Sequence, residues 1–196
     1  MENKVHQIVF NISLEKYELL VGVDESLIEL AKEYLNDLNS SSMREMVMTV
    51  IAGCVYNPKK LGYDGLNSKD EMKPKNVRSK SKNRLTIGGN HSDMTWKRHF
   101  KFMEENPTIY AGGFVDGLLV FQLSFSYRDL SEHFEKQIQK ILPNGDEKNK
   151  YVRSMGFGMK QVMQYTKPKV LFISANLDKF RGNMTKDLYT YLKSNI

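Results

Sequence analysis

Asp64, Glu71 and Lys73 stand close together in the stretch YDGLNSKDEMKPKN, residues 63–76. Two carboxylates offer hard oxygen ligands of the kind Mg²⁺ takes. A lysine beside them can contact a phosphate and orient or deprotonate an attacking water. In phosphodiester hydrolysis a bound metal lowers the pKa of its water and stabilises charge on the oxygens in transit. The protein then supplies positioning and electrostatics. Side chains alternate along a strand, so Glu71, Lys73 and Lys75 share one face while Met72 and Pro74 take the other. A tight antiparallel hairpin of residues 61–64 with residues 71–76 would return Asp64 beside Glu71. Asp70 is the substitute ligand if that register moves by one. A plainer reading stays open: Asp64-Gly65 is also a good turn, and Glu71 and Lys73 an exposed strand pair.

Basic residues follow at once. Residues 69–101 carry ten Lys or Arg against three acids, whereas residues 1–50 carry four against nine. The net charge is +6, with a pI near 9.2. A basic block beside an acidic half suits a polyanion docked on one face; a solvated loop is the alternative. Lys75, Arg78, Lys80, Lys82 and Arg84 are the candidate phosphate contacts. In RLTIGGNHSDMTWKRHF, Gly88-Gly89 permits close backbone approach, and Asn90, His91, Lys97 and Arg98 offer base or phosphate contacts. Trp96 can stack but reads better as a core anchor. His91 could act as a general base, although a surface histidine is the commoner case. Gly156-Phe157-Gly158-Met159-Lys160 lacks the full pattern of a phosphate-binding loop.

The elements that must position these residues follow from periodicity. Residues 5–12 read as a short strand or a helix lead-in. Apolar residues from Leu27 to Leu38 recur at three- and four-residue spacing, a helix over about 24–38. A buried helix is predicted over 43–56, ended by Asn57-Pro58. Glu45 is a charge within that apolar helix, costly to bury unless it reaches a metal or Lys73. Residues 77–92 read as a flexible basic loop around a short strand. Ser92 or Asp93 can cap a helix over 94–105, stopped by Asn106-Pro107. TIYAGGFV and LLVFQLSFSY flank Asp116-Gly117, a strong hairpin signal in which Asp116 serves only the turn. Helices are predicted over 129–142, 151–165 and 185–194, and a strand over 169–177. The order of elements implies an α/β or α+β fold with a central mixed sheet of about five strands flanked by helices.

The 196 residues, 40% hydrophobic and 27% charged, suit one domain with a real core. N-terminal helices would occupy 1–57, a catalytic core about 43–178, and a closing helix 183–196. Apolar runs fall short of the roughly 18–20 residues of a membrane span, and the N-terminus has no small-residue cleavage site. The single cysteine, Cys54, leaves no internal disulfide or cysteine cluster for zinc and reads as a buried thiol. Together these features point to the cytoplasm.

Asp64, a turn, then Glu71-Met72-Lys73 after a helix resembles the PD-(D/E)xK superfamily, the restriction-endonuclease-like nucleases. The likeness runs through the element order of about residues 40–130; its sharp part is about ten residues. Tyr63 stands where the family often has proline, and the Asp-to-Glu spacing is short. The resemblance implies a restriction-endonuclease-like fold and a Mg²⁺-dependent DNA endonuclease, Mn²⁺ substituting, of type II restriction character. Asp64 and Glu71 would hold metal with Glu45 assisting from the helix, and Lys73 would act at the nucleophile and phosphate. One site cuts one strand, so double-strand cleavage implies a homodimer. A structure-selective nuclease of recombination or repair is one alternative, and a noncatalytic basic nucleic-acid-binding protein the other.

Overall fold

The computed structural model describes residues 35–37, 41–59, 62–66 and 68–196. The expected strand at 5–12 and most of the helix at 24–38 lie outside the described residues. In chain order the elements are α1 (Ser42–Ala52), β1 (Asp70–Val77), β2 (Gly88–Met94), α2 (Trp96–Glu105), β3 (Thr108–Val115), β4 (Leu118–Ser126), α3 (Ser131–Ile141), β5 (Val152–Gly158), α4 (Met159–Tyr165), β6 (Lys169–Ile173) and α5 (Lys186–Lys193).

The β3–β4 hairpin forms where Asp116-Gly117 places it. Both turn residues have positive φ, 47° and 78°, the geometry whose twist matches the flanking strands. Here Gly117 is required twice over, because a Cβ would also lie 2.8 Å from that of Leu35. β1 adds to β3 in parallel, Asp70 opposite Thr108 and Val77 opposite Val115. β6 adds antiparallel to β4. The result is a mixed four-stranded sheet in the order β1-β3-β4-β6, and β2 pairs antiparallel with β5 in a second, two-stranded sheet. The fold is thus a mixed α+β architecture, with its strands divided four and two rather than gathered in one sheet of about five.

Each face of the main sheet has its own core. α1 lays Met48 against Met72, Phe114 and Leu119. The opposite core gathers Ile109, Phe121, Leu123 and Phe125 with Phe102 of α2, Phe134 and Ile138 of α3, Met155 and Phe157 of β5, and Leu188 and Leu192 of α5. Among the described residues no helix is long and apolar enough to cross a membrane.

Four local expectations change. α1 ends at Ala52, not near 56, because Gly53 takes a left-handed conformation (φ 74°) that closes the helix. The expected helix over 151–165 is half strand: residues 152–158 are drawn into β5 by pairing with β2, and Gly158 is the junction to α4. β2 consumes Ser92 and Asp93, so Thr95 caps α2 instead, its side chain accepting from Arg98 N. The hairpin expected between 61–64 and 71–76 does not form. Residues 62–66 pair back with the chain after α1, through a Tyr56–Gly65 bridge and the bonds Leu66 N to Val55 O (2.7 Å) and Asn57 N to Asp64 O (2.8 Å). β1 takes its ladder partner from β3 instead.

Candidate active site

Among the described residues β1 is the edge strand of the main sheet, and its outer edge is what brings Asp64 home. In a parallel pair alternate residues turn their backbone groups to the free side. Asp70 and Met72 do so: Asp64 N donates to Asp70 O (2.9 Å), and Met72 N donates to Asp64 Oδ2 (2.6 Å). Asp64 therefore lies alongside β1 as expected, held by one side-chain and one backbone bond rather than by a hairpin ladder.

The strand's alternation then sorts the side chains. Met72 packs toward α1. Glu71 lies on the other face, 7% exposed, and Lys73 Nζ donates to its Oε2 at 2.6 Å. Behind them stands an aromatic wall in which Tyr63 meets Phe102 at 5.7 Å and Phe102 meets Tyr127 at 5.1 Å between ring centroids. Burial pushes the Asp64 carboxyl up to about 6; the Met72 N–H and Lys73 oppose this, while Glu71 and Glu45 add to it. A carboxylate this reluctant to ionise, next to a second one, is a position where added positive charge is favoured.

Glu45 is half-buried in the first turn of α1 and accepts from Ser41 Oγ at 2.5 Å. Its charge reaches Asp64. Among the described residues no three His, Cys, Asp or Glu are gathered as a metal cage. The donor set that fits a hard divalent cation is the pair Asp64 and Glu71, both oxygen ligands.

Asp70, the substitute ligand, belongs to a different environment. Its Oδ2 accepts from Ser68 Oγ and from Cys54 Sγ (3.0 Å) on the α1 side. Burial, then the bond to Asp70, pushes the Cys54 thiol up to about 11, so it is a protonated structural thiol.

The expected nucleic-acid contacts divide. Arg78, Lys80, Lys82, Arg84, Asn90, Lys97 and Arg98 are exposed, and Lys75 is half-buried on β1. The 78–84 loop is pinned rather than free: Ser79 N donates to Asp116 Oδ1 (3.0 Å), and Asn183 Nδ2 donates to Ser79 O (2.9 Å). Leu85 and Ile87 plug its end into the core. Asp116 thus does more than make a turn. Arg98 is tethered, donating to Ser92 O and lying over the Phe102 ring. His91 is corrected outright: it is buried, 3% exposed, and offers nothing to a ligand at the surface. Trp96 is the expected anchor, its Nε1 donating to Leu142 O (2.8 Å). Gly89 does serve close approach, but to Lys73: a Cβ at 89 would stand 2.9 Å from Lys73 Cβ.

Two positioning residues, one next to Asp64 and one at the start of α2, escaped the sequence reading. Tyr63 donates its hydroxyl to Glu105 and packs its ring on Phe102; its neighbour Asp64 was the only signal available. Asp146, 50 positions beyond Trp96, accepts from the N–H groups of Trp96 (2.7 Å) and Lys97 (2.9 Å) and so fixes the start of α2. Nothing local announces that bond.

A scan against protein-family models finds no match, and a search of curated proteins finds no similar sequence.

Proposed function

We propose that this chain is a Mg²⁺-dependent endonuclease that hydrolyses DNA phosphodiester bonds, of type II restriction character. The observation that carries this reading is the convergence of Asp64 and Glu71 on one end of an edge strand, with Lys73 bonded to Glu71 and exposed basic residues at the strand's other end. Asp64 and Glu71 would hold the cation, with Glu45 contributing negative field. Mg²⁺ would supply a water of lowered pKa and stabilise charge on the phosphate oxygens.

The chain's own residues do the rest. Lys73 donates to the buried Glu71, and it can donate to a phosphate oxygen or to the attacking water. The rings of Tyr63, Phe102 and Tyr127 pack on one another, and apolar surroundings of that kind strengthen charge interactions beside them. From Glu71 to Arg78 the strand rises about 23 Å at ~3.3 Å per residue. That is about two-thirds of a duplex turn of ~34 Å, so one DNA backbone can meet both ends. Double-strand cutting by a single site per chain calls for two copies of the chain. A structure-selective nuclease would use the same site on a different DNA geometry.

A second reading has its own support. Asp64 has a structural task at the outer edge of β1, and Lys73 already neutralises Glu71; a noncatalytic DNA-binding protein would need no more. Purified protein incubated with supercoiled plasmid, with and without Mg²⁺, separates the two. Nicking or linearisation that requires Mg²⁺ is the expected result, with discrete bands for a restriction enzyme. Binding without any metal-dependent cleavage would leave the binder.

A further inference from the structure

β2 crosses β1 at Lys73. Gly89 is pressed so close that a Cβ there would lie 2.9 Å from Lys73 Cβ and 2.7 Å from Phe157 Cζ. His91 follows two positions later, its side chain on the same face of β2 as Gly89. The imidazole sits edge-on to Phe102, Tyr127 and Phe134, with centroid distances of 5.6, 5.4 and 5.5 Å. A phenyl ring would fill such a cage with no polar group to satisfy. The imidazole instead buries Nε2 with no hydrogen-bond partner among the described residues, which folded interiors normally avoid. The charges whose field reaches the ring are Lys73 from β1 and Arg98 from α2; with burial leading, they hold it neutral. A neutral imidazole keeps one ring nitrogen as an acceptor.

Lys73 is the group that needs one. Its ammonium is committed to Glu71 Oε2 at 2.6 Å. If Glu71 turns its carboxylate to a cation, Lys73 loses that acceptor while still largely buried. We propose that His91 is a positioning residue for Lys73: its unpaired Nε2 accepts from the Lys73 ammonium, directly or through one water, once Glu71 is engaged by Mg²⁺. This rests on the nuclease reading and assigns that site a second, metal-free acceptor. It also accounts for a histidine in an otherwise aromatic cage.

The test uses the full chain with ¹³C,¹⁵N-labelled lysine and histidine, the Lys73 signal being identified by its loss in Lys73→Arg. MgCl₂ alone, without DNA, is the probe. In the wild type, Mg²⁺ moves the Lys73 ε-CH₂ signal and shifts His91 Nε2 toward a hydrogen-bonded value. In His91→Phe the Lys73 signal reaches a different end point. Single-turnover cleavage falls about tenfold or more, with KM for DNA and the melting temperature unchanged, and His91→Gln, which keeps an acceptor, recovers part of the rate. The imidazole measurement needs no variant, so a misfolded His91→Phe does not block the test. An active wild type in which Nε2 does not move, or in which His91→Phe matches it in rate and Lys73 end point, overturns the proposal alone. A wild type that neither cleaves nor moves its Lys73 signal with Mg²⁺ overturns the nuclease reading, and this proposal with it.

Discussion

Asp70 and Glu71 are adjacent carboxylates, nearly equal in burial at 5% and 7% exposure, yet β1 gives them opposite company. Asp70 turns toward α1 and accepts from a hydroxyl and a thiol, both neutral. Glu71 turns the other way, meets the Lys73 ammonium, and shares its end of the strand with Asp64. Burial alone does not mark a reactive site. What separates the two is whether the surrounding groups are neutral donors that settle the charge or charged groups whose partners can be exchanged.

The largest effect should separate these neighbours. Glu71→Ala and Lys73→Ala should each lower Mg²⁺-dependent plasmid cleavage by at least about 100-fold while leaving gel-shift affinity for DNA largely intact. Asp70→Ala should instead leave turnover per folded molecule unchanged. It removes the acceptor of the half-buried Cys54 thiol, while the exposed Ser68 hydroxyl turns to water, costing about 1 kcal/mol of stability in a denaturant melt. It also removes a contact that raises the thiol pKa, so Cys54 should react faster with a disulfide reagent. Near-normal turnover in Glu71→Ala, or lost turnover in Asp70→Ala, would exchange the roles of the two faces.

The alternation that divides these neighbours was legible because it depends only on the strand's own period. The β3–β4 hairpin was legible for the same reason, since Asp116-Gly117 carries its own turn geometry. The partner of β1 was not. A parallel pairing of Asp70 with Thr108 crosses 38 positions, and no local pattern encodes such a contact. β2 is the harder case: GGNHSDM has little intrinsic strand preference and is a strand because β5 pairs with it. The same pairing turned the front of an expected helix into β5. His91 was misplaced for the same reason, its neighbours being polar in sequence while its cage comes from α2, α3 and the end of β4.

Asp64 gives the comparison a pH signature. Its folded-state pKa, about 6, lies above the ordinary 3.8. The protonated form therefore adds stability that is fully present below about pH 4 and is lost as pH rises through 6. At neutral pH its ionisation opposes folding by at most about 3 kcal/mol. Asp64→Asn should remove this slope and stabilise the metal-free protein at pH 7.5, while abolishing cleavage. Mg²⁺ should raise the wild-type melting temperature and leave the variant's unmoved. A variant that is less stable at pH 7.5 would mean that the carboxylate's bond to Met72 N outweighs its burial.

Glu45 should matter less, since it acts on Asp64 from α1 through its field. Glu45→Gln keeps size and hydrogen bonding but removes that charge. Cleavage should fall at low Mg²⁺ and recover in part at high Mg²⁺ or with Mn²⁺. Superimposable metal titrations of variant and wild type would detach α1 from the site, since surface substitutions usually stay within about 0.5 kcal/mol.

The smallest effect belongs to the far end of β1, where charge is exposed rather than buried. Arg78, Lys80 and Lys82 stand on a loop whose backbone is fixed by Asp116 and Asn183 and whose end is plugged by Leu85. None of the three side chains is needed for that anchoring, so replacing all of them with Gln should leave the melting temperature nearly unchanged. If they meet phosphates, each lost contact removes about 0.9 from the slope of log affinity against log salt on duplex DNA. The weakening should be uniform across DNA sequences, because phosphates carry no sequence information. Cleavage at saturating DNA should persist, because Glu71 and Lys73 lie at the opposite end of the strand. An unchanged salt slope would make the loop a solvated surface and leave the DNA path to Lys97 and Lys75. A lost maximal rate with normal binding would instead place the basic end inside the catalytic machinery and erase the distinction between the two ends of β1.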